Sequence, residues 1–486
     1  MLEVSSGFLQ SSFSSPLSQR ASLPVPNATS SFWIDSPDAN PLADVGSTGP
    51  LTTDADVCII GSGITGVSTA YRLSQISEDP LSVIVVEARK FCKSTLDFYL
   101  DADSTRRNGG HLVANIFSGF RSRQSQYGLD DALKSYHLEQ HTISSILSFV
   151  NSHNLSESVD LVDGGHIGLL LTPTEELHAR ADWNAAVKAN WEPAKNSEKT
   201  KWLSAQEMNE KHGTPYPAFQ TPGYNLWPLK LVTHLFIEAS SFPSFNLTLH
   251  THTPVSSITR SSRIPSSRPR RWTLHTPRGQ IQCSSILHAT NAYASHLLPS
   301  LSSTIIPTRG QVVAIDLPTS NTITPSFPLA GSWGANEGYE YWFPRPPQSN
   351  SNTTTVILGG GRETARPAFE AHQTDDSTIN TRVSETLHAF LPRIFSGIPI
   401  EITTLMEWTG IMGFTTTGDP IVGPIVDNDE NSHNGQYISA GYTGHGMPLA
   451  YGCAQAVADM ILAELQGKRW KMPAWFPRHY LARRLQ

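Results

Sequence analysis

The clearest pattern of apolar and polar positions lies near the start of the chain. Two apolar runs of strand length, Val57 to Ile60 and Val83 to Val86, flank a segment of different period. Between them Val67, Ala70 and Leu73 recur three residues apart, as on one face of a helix. The pattern therefore predicts a strand, a helix and a second buried strand.

The rest of the chain mixes both periods. It predicts helices over 130–151, 174–193 (with Thr174 as N-cap), 204–212, 378–391 and 448–465, and a turn leading into a helix over 224–241. It predicts strands over 164–172, Leu247–His252, Val255–Ile258, Trp272–His275, Ser285–Thr290, Val312–Asp316, Tyr339–Phe343, Thr355–Gly359, Ile400–Trp408 and Tyr437–Ala440. A βαβ opening followed by mixed α and β, with a glycine-rich turn before the last helix, favours a flavoprotein around one extended FAD over a nicotinamide dehydrogenase.

A glycine motif follows the first strand. Gly61, Gly63 and Gly66 have the G-x-G-x-x-G spacing that permits a tight turn, close approach to a pyrophosphate and helix–sheet packing. The helix that follows offers its unpaired N–H groups to phosphates. Glu87, about 20 residues further on, would accept hydrogen bonds from ribose hydroxyls and repel a 2′-phosphate. The motif predicts a dinucleotide site and argues against NADP, but it does not separate NAD from FAD.

Composition excludes several classes of protein. A chain of 486 residues exceeds one core, and a net charge of −7 with 16% charged residues gives no basic surface for nucleic acid. The sequence contains no apolar run of membrane-spanning length and no apolar segment typical of a signal peptide. Four widely spaced cysteines show no metal-binding spacing and suit a reducing compartment, so we predict an intracellular, cytoplasmic protein without a metal site. Residues 1–50 are rich in Ser and Pro and predict a partly disordered arm that lies over the body of the protein.

Several segments together resemble the D-amino-acid-oxidase-like superfamily of FAD-dependent amine oxidoreductases, in particular gamma-glutamylputrescine, sarcosine and glycine oxidases of the fungal and bacterial branches. They are DADVCIIGSGITG, RRNGGHL, SILHATNAYASHLLP, PTRGQV, GYEYWFPRP, EWTGIMGFTTTGDPIVGPI and GQYISAGYTGHGMPLAYGCAQAVADMI. The resemblance covers about residues 23–470. It implies an α/β (α+β) fold with a Rossmann-like FAD/NAD(P)-binding domain plus a mixed antiparallel-sheet substrate domain. The expected FAD-binding domain comprises 51–120, 223–305 and 405–486, and the substrate domain 121–222 and 306–404.

The resemblance also implies the cofactor contacts. The ADP half would be held by Gly61, Ser62, Gly63, Gly66, Glu87 and Arg89, with Val255 on the adenine side and Thr290 and Asn291 closing over the cofactor. The pyrophosphate and the flavin ring would meet Arg107, Asn108, Gly109, Gly110 and His111. The flavin pyrimidine would meet Gly441, Gly444, His445, Gly446 and Met447, at the positive end of a helix.

The implied reaction is oxidation of a C–N bond. A neutral amine would pass a hydride to the flavin, the imine would hydrolyse, and oxygen or another acceptor would take the electrons. The implied substrate-side residues are His111, Tyr341, Trp342, placed as part of an apolar lid, and Arg309, placed to pair with a carboxylate. For each of them a purely structural role is the alternative.

Departures from the family pattern modify this expectation. Met412 stands where sarcosine-oxidase-like relatives carry the cysteine that bonds the flavin, so FAD is predicted to be non-covalent. Ile357 replaces a lysine tied to oxygen activation, and Pro448 replaces a lysine that grips the substrate carboxylate, which favours an amine over a small amino acid. Residues 93–101 are extra, and Arg106 replaces a glycine. Two alternatives follow: a dehydrogenase of the same fold, or a non-catalytic protein disabled by the 93–101 insertion.

Overall fold

The structure, a computed structural model, describes residues 20–36, 39–92, 110–261, 269–318, 331–346, 352–399, 402–426 and 433–482. Its strands, in chain order, are β1 Asp54–Ile60, β2 Leu81–Val86, β3 His111–Leu112, β4 Val162–Asp163, β5 His166–Leu169, β6 Lys201–Leu203, β7 Ala218–Thr221, β8 Tyr224–Asn225, β9 Phe245–His250, β10 Ser257–Arg260, β11 Trp272–Thr276, β12 Gly279–His288, β13 Ile305–Pro318, β14 Ser332–Ala335, β15 Glu340–Pro344, β16 Thr353–Gly359, β17 Thr403–Thr415, β18 Ile421–Pro424 and β19 Gln436–Ala440. Its α-helices are Phe32–Asp35, Ile64–Ile76, Phe120–Tyr127, Leu129–Ser152, Pro173–Lys188, Glu192–Lys195, Ala205–His212, Pro228–Ser241, Ala294–Leu297, Thr381–Ile394 and Ala450–Leu465.

The first sheet carries the glycine motif. Its order is β10-β11-β12-β1-β2-β9, and β19 pairs with β12 and with β18. Strands β9, β2, β1, β12 and β19 are parallel neighbours, although they come from distant parts of the chain. Apolar side chains of the helices Ile64–Ile76, Pro228–Ser241 and Ala450–Leu465 share a core with this sheet. The carboxyl ends of β1 and β2 therefore meet at one edge, where parallel sheets of this kind bind ligands.

The second sheet is mostly antiparallel. Its order is β17-β13-β16-β15-β14-β5-β7-β6, and β14 with β5 is a parallel pair. One face shares a core with the helix Thr381–Ile394. The opposite face carries Tyr341, Phe343 and Trp408, which form a separate buried cluster. This mixed architecture is the predicted fold class, whereas the division of the chain into domains stays a prediction.

Several predicted boundaries were wrong. The helix predicted over 174–193 is Pro173–Lys188, and its N-cap is Thr172 rather than Thr174, because the Thr172 hydroxyl accepts a hydrogen bond from the N–H of Glu175. Strand β13 is much longer than the predicted Val312–Asp316, and the helix Phe120–Tyr127 was not predicted. Both errors arise where local sequence is misleading: Pro307 and Gly310 interrupt the apolar pattern of β13, and six of the eight residues of the helix are polar or charged.

The N-terminal arm, defined here as residues 20–36, lies on the body of the protein. Trp33 is fully buried and stacks against Phe343, with ring centroids 6.3 Å apart. The backbone N–H of Thr29 donates to the carbonyl of Asp376 at 2.9 Å. Residues 1–19 of the predicted, partly disordered arm over 1–50 lie outside the described residues. None of the helices in the described ranges is long and apolar enough to cross a membrane.

Candidate active site

The first glycine turn is sterically committed to glycine. Gly61 has a φ of +109°, and a Cβ there would lie 2.3 Å from the carbonyl oxygen of Ala289. A Cβ on Gly66 would lie 2.1 Å from the carbonyl oxygen of Gly61. Gly63 is the N-cap of the helix Ile64–Ile76, so the helix begins directly at the turn. The turn thus has the geometry that brings backbone N–H groups to a pyrophosphate.

Glu87 braces this turn. One carboxylate oxygen accepts hydrogen bonds from the backbone N–H and the hydroxyl of Ser62, at 3.1 and 2.9 Å. The other oxygen accepts from the N–H of Arg89 at 3.0 Å. Ser62 also accepts a hydrogen bond from the N–H of Cys92. These bonds fix the Glu87 carboxylate at the end of β2, where it borders a small cavity.

The small cavity lies at the edge of the first sheet. Predicted residues Gly61, Glu87, Val255 and Thr290 all line it. The Thr290 hydroxyl is buried there, and no residue in the described part of the chain forms a hydrogen bond with it. A close glycine turn, a carboxylate and an unsatisfied hydroxyl around one cavity fit the adenosine half of a dinucleotide.

Arg89 is predicted to contact ADP, and this contact stays a prediction. Its described side-chain contacts are with Val25 and Asp376. Its Nη1 donates to the carboxylate of Asp376 at 3.1 Å and to the carbonyl of Val25 at 3.1 Å. Its Nε and Nη2 are buried and have no hydrogen-bond partner among the described residues. The described contacts of Arg89 therefore join the arm and Asp376 to the dinucleotide lobe.

The second glycine turn precedes the last helix. Gly441 and Gly444 have φ angles of +80° and +76°, in the left-handed region that glycine adopts without strain. Asn291 accepts a hydrogen bond from the Gly441 N–H at 2.8 Å. On its other side, a Cβ on Gly413 would lie 2.6 Å from the same Asn291 oxygen. Asn291 thus holds the turn in place through the Gly441 N–H. A direct contact between Asn291 and the cofactor stays a prediction.

His445 in this turn has a fixed partner. Its Nε2 lies 2.8 Å from a carboxylate oxygen of Glu139, a residue of the helix Leu129–Ser152. The same oxygen accepts a hydrogen bond from the N–H of Asn115 at 2.6 Å. Glu139 was not predicted as a site residue, because its helical pattern carries no sign of a partner more than 300 residues away.

A large cavity of about 490 Å³ connects the turn to the second sheet. Its lining includes Thr443, Gly444 and His445 of the turn, together with His111, His166, Tyr341, Arg362 and Phe414. Predicted residues His111, Tyr341, Gly444 and His445 therefore border one space. Such a cavity, mostly apolar with a few convergent polar groups, is typical of a small-molecule site.

Three rings form an aromatic corner in the cavity. The His111 ring lies 5.1 Å from Tyr341 and 6.4 Å from His166, both edge to face. His111 Nε2 lies 3.3 Å from the carbonyl of Trp333, and His166 Nδ1 lies 3.1 Å from the hydroxyl of Ser332. Burial, with a smaller contribution from His111, lowers the pKa of His166 to about 3, so His166 is neutral at physiological pH. His166 was missed at the sequence level, although its strand was predicted.

Trp342 and Arg309 do not line the large cavity. Trp342 lies on the opposite face of β15, packed against Trp333 and Phe390 in the core under Thr381–Ile394, so its placement in an apolar lid was wrong. Arg309 donates to the carboxylate of Glu370 at 2.5 Å and to the hydroxyl of Thr378 at 2.8 Å. It therefore makes the structural ion pair that was the alternative to a substrate contact.

Arg362 is a cavity residue that the sequence pattern did not reveal. Its guanidinium lies 4.5 Å from the ring centroid of Phe414 and 5.1 Å from that of Tyr339. It follows β16 after Gly360 and Gly361, so the signal available in the sequence was a glycine-rich strand end followed by an arginine.

Other predicted residues have clear positions. Gly110 has a φ of +71°, and a Cβ there would lie 3.1 Å from Phe343. Met412 and Met447 are fully buried in apolar clusters. Gly446 accepts hydrogen bonds from the N–H groups of Leu449 and Ala450. Arg107, Asn108, Gly109, Arg106 and the 93–101 insertion lie outside the described residues.

Comparison with known proteins supplies the family. Residues 56–460 match the family model of the FAD dependent oxidoreductases named DAO, and the chain therefore belongs to this family. The predicted class, fold and cofactor are confirmed: the protein is an enzyme of the FAD-dependent oxidoreductase class, and its cofactor is FAD. A search of curated proteins finds no significant match.

Solved structures share the fold at low sequence identity. Glycine oxidase from Geobacillus kaustophilus has a TM-score of 0.59 and 17% identity over 88% of this chain and 99% of that one. L-proline dehydrogenase from P. horikoshii has a TM-score of 0.60 and 18% identity over 89% and 100% of the two chains. L-amino acid deaminase from Proteus myxofaciens has a TM-score of 0.61 and 14% identity over 95% and 98%. At such identities the comparison shows the fold.

Proposed function

We propose that this protein oxidises the carbon–nitrogen bond of an amino-acid-like substrate, an amine that carries a carboxylate, and that oxygen takes the electrons in the end. The observation that carries the proposal is the placement of Arg362 in the cavity that the second glycine turn also lines. The solved structures of similar fold include enzymes named for glycine, proline and other amino acids, which supports the same substrate class.

Arg362 suits a carboxylate. Its guanidinium lies over the rings of Phe414 and Tyr339, and a guanidinium can bind a carboxylate through two parallel hydrogen bonds. Pro448, at the position of a lysine in relatives, favours a simple amine, whereas the cation of Arg362 in the cavity favours a substrate with a carboxylate. In the proposal, Arg362 binds the substrate carboxylate from a different part of the cavity than the lysine of relatives does.

The chemistry divides between the cofactor and the protein. FAD supplies the two-electron oxidation by accepting a hydride from the carbon next to the nitrogen. The remaining C=N bond is hydrolysed by water to a carbonyl compound and a free amine or ammonia. His166 is neutral and therefore adds no positive charge that would disfavour the substrate nitrogen. A buried, mostly apolar cavity also favours the neutral amine, which is the form with a lone pair available to assist hydride loss.

A dehydrogenase that uses another electron acceptor is the second candidate. Ile357, at the position of the oxygen-activating lysine of relatives, is fully buried beside Phe343 and Ala314 in the second sheet. Peroxide formed per substrate consumed separates the two: a ratio near one supports the oxidase, and a reduced flavin that persists in air supports the dehydrogenase.

The experiment is anaerobic flavin reduction. We expect glycine, proline or another carboxylate-bearing amine to bleach the flavin band at about 450 nm, and the matching amine without a carboxylate to bleach it much more slowly. Replacing Arg362 by Ala should raise the apparent KM for the carboxylate substrate about 10- to 100-fold, with a partial loss for Arg362→Lys. Arg382→Ala, which removes an exposed arginine from the helix Thr381–Ile394, is the control. If no amine or amino acid reduces the flavin of a fully loaded protein, the proposal fails.

A further inference from the structure

We propose that the N-terminal arm forms the outer wall of the adenosine end of the FAD site and slows the release of FAD. The arm lies outside the family match, which begins at residue 56. The inference concerns cofactor binding and does not depend on the proposed substrate.

The arm shares the small cavity with the dinucleotide motif. Leu23 and Pro24 line it together with Gly61, Glu87 and Val255. Both arm residues are half-buried in this position. The cavity is therefore closed on one side by the sheet edge and on the other by two apolar side chains of the arm, a setting that suits the planar adenine ring.

A buried ion pair fastens the middle of the arm. The Arg89 and Asp376 side chains are 5% and 0% exposed, and their closest atoms are 3.1 Å apart. Arg89 also donates to the carbonyl of Val25, directly after the two residues that line the cavity. Asp376 accepts the N–H of Thr29 through its own carbonyl. Since Arg89 follows Glu87 by two residues, the fastening lies immediately beside the expected ribose contact.

Both ends of the arm are also attached. At one end, the N–H of Ala21 donates to the hydroxyl of Ser295 at 2.9 Å, close to the end of the first sheet. At the other end, the Thr29 hydroxyl accepts from the N–H of Thr409 on β17 at 2.9 Å, and Trp33 is buried against the second sheet. The arm therefore bridges the two sheets across the edge where the cofactor lies. FAD can leave past Leu23 and Pro24 when this segment detaches locally.

The test is the rate of FAD release from the full-length holoprotein, followed as the rise of flavin fluorescence after dilution. Leu23→Ala removes a half-buried apolar contact, and we expect FAD release about fivefold faster. Pro24→Ala should act in the same direction with a smaller effect. The matched controls are Pro26→Ala, in an exposed part of the same arm, and Leu177→Ala, at a side chain that is 67% exposed on the helix Pro173–Lys188.

A second readout separates cofactor binding from general stability. For Leu23→Ala the melting temperature of the FAD-free protein should stay near that of the wild type, whereas the increase caused by added FAD should become smaller. Release of FAD at the wild-type rate by both arm variants would overturn the proposal, and so would an equal acceleration by the controls. If Leu23→Ala does not fold, Pro24→Ala alone decides. Because no substrate is present, a protein that oxidises no amine still answers this test.

Discussion

The two glycine turns and the second sheet contribute to the site in different ways. The turns at Gly61 and Gly441 present backbone, and each position is held by a close approach or a left-handed φ that a side chain would disturb. The second sheet and the short strand β3 present side chains, chiefly Tyr341 on β15, Arg362 shortly after β16 and His111 on β3. A site formed by backbone groups can be predicted from the spacing of glycines in the sequence. A side-chain site depends on packing that no short motif encodes.

The largest effect should come from a substitution in the first glycine turn, where the backbone itself forms the site. Gly61→Val places a Cβ 2.3 Å from the Ala289 carbonyl at a φ of +109°, so the turn must move. We expect the purified variant to retain almost no FAD, measured as the ratio of absorbance at about 450 nm to that of the protein.

The control for this variant is Gly49→Val. Gly49 also has a positive φ, +78°, but a Cβ there meets nothing within 4 Å. This variant should bear a similar backbone strain and keep its flavin. Equal flavin content in both variants would contradict the steric argument.

A smaller effect should separate the two faces of β15. Trp342→Ala empties a buried site between Trp333 and Phe390 and should lower the free energy of unfolding by about 3–5 kcal/mol. Tyr341→Phe removes a hydroxyl from the cavity face and should change stability by about 1 kcal/mol, while altering the rate of flavin reduction by substrate.

Urea unfolding and anaerobic flavin reduction measure these two quantities. The opposite result would contradict this assignment. If Trp342→Ala changed the rate of flavin reduction in the folded protein and Tyr341→Phe did not, Trp342 rather than Tyr341 would border the substrate.

The smallest effect should be a pH dependence of the free energy of unfolding that is caused by Glu340 on β15 of the second sheet. Burial, together with the neighbouring carboxylate of Glu363, raises the pKa of Glu340 to about 8. The folded protein holds this proton more tightly than the unfolded chain does. The contribution of protonated Glu340 to the free energy of unfolding is therefore full below about pH 4.5 and is lost as the pH rises towards 8. Between pH 5 and 8 the free energy of unfolding should fall less in Glu340→Gln than in the wild type, by on the order of 1–2 kcal/mol.

Urea unfolding at several pH values measures this slope. Gly361 donates its N–H to Glu340 Oε1 at 3.2 Å, and a Gln side chain keeps that acceptor. Glu385→Gln on the helix Thr381–Ile394, where Glu385 is exposed, is the control and should leave the slope unchanged. A variant that retains the full slope would show that another group titrates.

Much of the backbone side of the site was predictable from the sequence. The G-x-G-x-x-G spacing, the strand that ends beside Glu87 and the glycine-rich turn before the last helix all lie where the periodicity and motifs predicted. These features are local, so a short stretch of sequence contains the whole physical reason for them.

The side-chain part of the site was less predictable. Tyr341 and Trp342 were both expected on the substrate side, yet adjacent residues of a strand point to opposite faces, and only the packing decides which face borders the cavity. Arg309 pairs with Glu370, a partner 61 residues away. Arg362 lies in the cavity because β16 ends there, and the topology of the sheet was not readable from periodicity.

The connectivity of the first sheet has a consequence for how the protein is made. Strand β1 pairs with β12, and β12 pairs with β19. The paired residues Ile60 and His288 are 288 − 60 = 228 positions apart in the chain, and Ile286 and Gln436 are 436 − 286 = 150 positions apart. The Asn291 side chain likewise waits for Gly441 to reach it. FAD therefore meets a complete binding site after nearly the whole chain has been translated. Until β12 is translated, the strand Asp54–Ile60, of which all residues but Asp54 are buried in the finished protein, lacks one of its two neighbours, and its apolar surface is open to contact with other chains.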